Sequence, residues 1–141
     1  MANDIRYVLR LIAICFTLTL LAACGGGLPA GYTSQQQTVD GLTITLERPR
    51  KAELLQTYTL YVNLADANNK PVDGARVSAD MIMPAMPMGS NKPIADPLGN
   101  GRYGVKTIFS MEGDWNITVD VSVSGKHYTA TFDQVVVPKQ S

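Results

Sequence analysis

Few side chains in this sequence can do chemistry, and most of those that can are methionines. Four lie in the segment Met81-Ile82-Met83-Pro84-Ala85-Met86-Pro87-Met88-Gly89, and Met111 follows further along. A thioether is a soft, uncharged donor that suits Cu(I), whereas Cu(II) and Zn(II) prefer nitrogen, oxygen or thiolate. It has no proton to lose, so such a site would bind almost independently of pH. Met86 and Met88 are the first candidate ligands, because they flank Pro87 in a stretch that cannot pair as a central strand. Met83, Met111 and Met81 follow in that order. Two other readings stand beside this one. Met81 and Met83 alternate with outward residues and would fill irregular core gaps. The segment as a whole would also make an adaptable lip for a partner protein.

Other chemistries lack their residues. The 141-residue chain has one histidine and two cysteines, too few for a Cys/His zinc site. Lysine plus arginine is 12 and aspartate plus glutamate is 12, so the net charge is zero and no basic stripe for nucleic acid is expected. Asp66-Ala67-Asn68-Asn69 hints at a calcium loop but lacks the later glycine and acidic ligand. No glycine-rich loop opens a helix, no serine has a histidine at an arguable distance, and no acidic pair stands out. The expectation is a protein that is not an enzyme. His127 reads as a solvated surface residue.

These side chains must be positioned by a β framework. From Val39 onward the apolar period is two: Leu42, Ile44, Leu46; Tyr58, Leu60, Val62, Leu64; Ala75, Val77, Ala79, Met81, Met83; Tyr103, Val105; Trp115, Ile117, Val119, Val121, Val123; Tyr128, Ala130, Phe132. Such alternation marks strands with one face on a core and one in water. Turn signals separate the runs, at Asn68 to Gly74, Asp96 to Gly101, Glu112 to Asp114 and Ser124 to Lys126. With a short edge strand expected near Met88 to Ala95, the pattern predicts an all-β, immunoglobulin-like antiparallel sandwich of about seven strands, with Trp115 in its core. Counting reversals along the chain gathers the methionines at one end of the sandwich and leaves His127 at the other.

The N-terminal region reads differently. Arg6 and Arg10 flank an apolar run from Leu11 to Ala22, too short to span a bilayer as a helix. It ends in Leu21-Ala22-Ala23-Cys24, which resembles the bacterial lipoprotein signal. The resemblance implies a signal peptide over residues 1–23, cleavage before Cys24 and lipid on that cysteine, hence a membrane partner and a place in the cell envelope facing away from the cytoplasm. Two or more acyl chains anchor firmly. Residues 24–37, rich in glycine and glutamine, read as a flexible tether of about 20 Å reach. The folded domain is expected over residues 38–141, without a disulfide, since Cys15 leaves with the signal and Cys24 carries lipid.

Four pieces in order, Pro71-Val72-Asp73-Gly74-Ala75-Arg76-Val77, Met83-Pro84-Ala85-Met86-Pro87-Met88, Gly101-Arg102-Tyr103 and Phe109-Ser110-Met111-Glu112-Gly113-Asp114-Trp115, resemble the YtkA-like domain, a family related to FixH-type proteins. The resemblance implies an immunoglobulin-like sandwich, an envelope role and a link to copper, with an oxidase or a copper transporter as the class of protein partner.

Overall fold

The protein is described by a computed structural model covering residues 27–87 and 92–139. The described residues form eight strands in order: β1 (Tyr32–Val39), β2 (Leu42–Pro49), β3 (Thr57–Ala65), β4 (Arg76–Ile82), β5 (Asp96–Gly99), β6 (Arg102–Ile108), β7 (Gly113–Val123) and β8 (Lys126–Val137). They form a five-stranded sheet, β1-β2-β3-β6-β5, and a three-stranded sheet, β4-β7-β8, in which neighbouring strands pair antiparallel. Leaving β1 aside, the orders β2-β3-β6-β5 and β4-β7-β8 are those of an immunoglobulin constant-type sandwich. The expected fold is therefore present, with one strand more than expected.

The core is what the alternation predicted. Leu42, Ile44 and Leu46 from β2 meet Leu60, Val62 and Leu64 from β3, and Ile117, Val119 and Val121 of β7 close it from the other sheet. Each large apolar side chain buried there contributes about 1.5–3 kcal/mol. No cysteine lies among the described residues, so this packing is not reinforced by a cross-link. Trp115 is buried, edge-on to Phe109 with ring centroids 5.7 Å apart.

Two expectations change. The tether was expected to run to residue 37, but Tyr32 already opens β1, which pairs residue for residue with β2 along its whole length. Its inward positions include Gln35 and Gln37, so no apolar alternation marks it; an edge strand draws its stability from its neighbour. Of the edge strand expected at Met88 to Ala95, Met88 to Asn91 lie outside the described residues, and Lys92 to Ala95 form no strand of their own. The paired residues are Asp96–Gly99, all exposed, while Ile94 only bridges Ser78. Pro97 is tolerated because β5 is an edge. The glycine-rich turn signal belongs to the β5–β6 hairpin, where Gly99, Asn100 and Gly101 all have positive φ.

The lower end of the sandwich is locked by two of the recognisable sequence pieces. Gly101 N–H donates to Asp73 Oδ1 at 2.8 Å. The Tyr103 hydroxyl donates to the Val72 carbonyl at 2.9 Å and accepts from Ala75 N–H at 3.1 Å. A Cβ on Gly101 would stand 2.6 Å from the Leu64 carbonyl oxygen, so only glycine fits.

Candidate functional site at the methionine end

β4 and β6 both run upward, and β7 starts at the top. The end of β4, the β6–β7 turn and the start of β3 therefore share one end of the molecule. Met83, Met86 and Met111 lie there. His127 opens β8 at the opposite end, as the strand reversals predict.

The five candidate ligands differ in their surroundings. Met81 is half-buried between the sheets, and its Sδ accepts a hydrogen bond from the Thr107 hydroxyl at 3.4 Å. Met83 is buried, and its terminal methyl packs beside Gly113. Met86 N–H donates to the Met83 carbonyl at 3.1 Å, closing a turn over Pro84 and Ala85 that swings Met86 outward to 53% exposure. Met111 is half-buried against the core, and the Trp115 indole N–H holds its carbonyl at 3.0 Å. Met88 and the lipidation candidate Cys24 lie outside the described residues. The rim is thus graded, with Met86 in water, Met111 at the surface and Met83 just beneath.

Around this rim stand exposed apolar side chains: Leu55, with positive φ, Ile82 and Ile108. Leu55 N–H is tied to the Phe109 carbonyl at 2.9 Å. A shallow cleft of about 270 Å³ opens beside them, lined by Thr57, Pro93, Lys106, Thr107 and Ile108. Among the described residues no group of three or more His, Cys, Asp or Glu is placed to hold a metal ion. Among the described residues no helix is long and apolar enough to cross a membrane.

Several polar sites are invisible without the register. On the outer face of the larger sheet, Arg102 forks onto Glu47 at 2.7 and 2.9 Å, bonds Asn63 and lies 4.2 Å over the Tyr61 ring. On the smaller sheet, Lys92 sits 3.8 Å from the buried Asp80 and 3.2 Å from Asp120. Ser122 and His127, for which no proximity was expected, are opposite each other in the β7–β8 hairpin, with Oγ and Nδ1 2.8 Å apart. His127 is exposed and Ser122 half-buried, and the contact reads as a surface hydrogen bond. Charged or polar residues at outward positions are the only linear hint of any of these.

The YtkA-like family model matches residues 36–120, more than half of the chain. The chain belongs to the YtkA-like family. The matched span includes both the lower lock and the methionine rim, so the sequence pieces that mark the family sort to the two ends of the sandwich. The chain is also similar to the crystal structure of the Lin-41 filamin domain, with 22% identity over 76% of this chain and 96% of that one and a TM-score of 0.43. No curated protein matches the chain.

Proposed function

We propose that this YtkA-like domain is an envelope binding module, lipid-anchored through Cys24, whose working end is the methionine rim and whose cargo is Cu(I). The observation that supports the reading is that Met83 and Met86, after β4, and Met111, in the β6–β7 turn, lie on segments that share one end of the sandwich, with Met86 exposed. Thioethers at a solvent boundary fit a soft monovalent cation. Met86 is the exposed ligand, with Met88 its expected companion beyond Pro87, and Met83 and Met111 would complete the sulfur set. Met81 ranks last because Thr107 already occupies its sulfur. A FixH-type oxidase assembly pathway or a copper transporter is the matching class of partner.

The test is a competition titration with a Cu(I)-selective chelator. The wild type should compete for one equivalent, and a Met86→Leu, Met88→Leu double variant should not. Equal retention by both would remove the rim as a metal site. A second reading is favoured by the exposed Leu55, Ile82, Met86 and Ile108: a docking end for a protein partner without metal. Partner binding that is insensitive to copper chelation would select it.

A further inference from the structure

Arg48 occupies a place that the period of β2 reserves for an apolar side chain. It follows Leu42, Ile44 and Leu46 on the inward face and is only 6% exposed. Burying a guanidinium is unfavourable unless its N–H donors find acceptors. Its Nε–H is buried with no acceptor. The ion pairs among the described residues belong to Lys92 and Arg102 instead. Burial pulls the Arg48 pKa below the ordinary arginine value, and the negative charge of Asp133 opposes that shift.

Arg48 does not itself line the nearby seam between the sheets, but Asp133, whose charge acts on it, and its diagonal neighbour Gln35 both do. β1 and β8 are edge strands of the two sheets. Between them lies a cleft of about 240 Å³, lined by Gln35, Gln36, Gln37, Phe132 and Asp133. Gln35 pairs with Leu46, which makes it a diagonal neighbour of Arg48 on the same inward face. Its Oε1 is also buried and has no donor. Gln37 donates to the Thr131 carbonyl and ties the two edges together. The strand irregularity opposite Trp115 and Ile117 sets Asp133 at the surface, where it is exposed.

We propose that this seam binds a small oxyanion, a carboxylate or phosphate group, with Arg48 as its anchor. The guanidinium offers adjacent N–H donors that match two oxygens of such a group. A half-turn of the Gln35 amide exchanges its oxygen for N–H donors and removes the orphaned acceptor in the same step. Asp133 is the opposing charge; being exposed, it can turn into water when the anion enters. The rival occupant is a neutral water bridging the two orphaned atoms.

The test follows the Arg48 Nε–Hε and Gln35 side-chain amide signals by NMR, in the full ¹⁵N-labelled chain in detergent micelles. Sodium acetate and sodium phosphate are titrated separately at constant ionic strength set with sodium chloride. A saturable shift of both signals is expected, and the tighter of the two salts identifies the carboxylate or phosphate source. Asp133→Asn should tighten binding about threefold by removing the opposing charge. Arg48→Met should weaken it at least about tenfold. If Arg48→Met does not fold, Asp133→Asn and Gln35→Leu decide, with opposite expected shifts in affinity. No saturable shift with either salt, or the same shift with chloride alone, overturns the site. A loss of copper binding at the rim leaves these signals unaffected, so the two readings fail separately.

Discussion

Gly113 leaves the space that Met83 fills: a Cβ at Gly113 would stand 3.1 Å from the Met83 terminal methyl. This contact joins the end of β4 to the start of β7 and holds the buried methionine of the rim in place. Gly113 also has φ of 125°, which L side chains rarely adopt. Gly113→Ala is expected to destabilise by about 1–2 kcal/mol in chemical denaturation. The loss should shrink when Met83→Ala removes the crowding, leaving the backbone part. At Gly101 the obstruction is backbone, the Leu64 carbonyl oxygen at 2.6 Å. Gly101→Ala should therefore be worse, by about 3 kcal/mol or more, and no side-chain deletion should rescue it. Equal costs at the two glycines would refute this distinction.

The Glu47–Arg102 fork lies over the middle strands of the larger sheet and is partly shielded. Arg102→Met strands a buried carboxylate and should cost about 2 kcal/mol, less than for a fully buried pair because the guanidinium reaches water. Glu47→Gln in the same background should recover part of that loss. A double-mutant cycle measured by urea unfolding checks it; coupling under about 0.5 kcal/mol would class the pair as an ordinary surface contact.

Tyr32 donates its hydroxyl to the Thr59 carbonyl at 3.0 Å, and burial raises its pKa above the usual tyrosine value of 10.0. The folded state therefore holds this proton longer than the unfolded one. The associated stability is complete below pH 10.0 and is lost as pH rises from there through the folded-state value. Tyr32→Phe should flatten part of that alkaline decline in thermal unfolding. An unchanged alkaline slope would mean that Tyr32 titrates as it does in the unfolded chain.

Cys24→Ser should block lipid attachment and move the protein from the membrane to the soluble fraction, without changing the stability of the folded domain. Fractionation and mass spectrometry of the intact chain read both parts. A membrane-retained serine variant would point to anchoring by the uncleaved apolar run over Leu11 to Ala22 instead.

Much of the architecture was legible in the linear pattern. Apolar residues at every second position leave a strand only one face to bury, so Leu42 to Leu46, Tyr58 to Leu64 and Trp115 to Val123 had to become half-buried strands. Counting reversals put Met83, Met86 and Met111 at the end opposite His127, because β5, although later in the chain than expected, still supplies the reversal. The pattern fell silent where burial does not follow hydropathy. β1 turns glutamines inward, and β5 is exposed on every residue, so neither carries an alternating signal. Arg48 sits in an apolar phase of β2 and is a buried charge that only the placement of β1 and β8 reveals. The fork of Arg102 on Glu47 and the contact of Ser122 with His127 are matters of register, fixed when strands align. Local sequence thus determined which residues face inward along most strands, because burial acts on each side chain separately. Which distant polar groups meet, and which methionines remain open to water, was decided only by tertiary structure, because those are properties of pairs of segments.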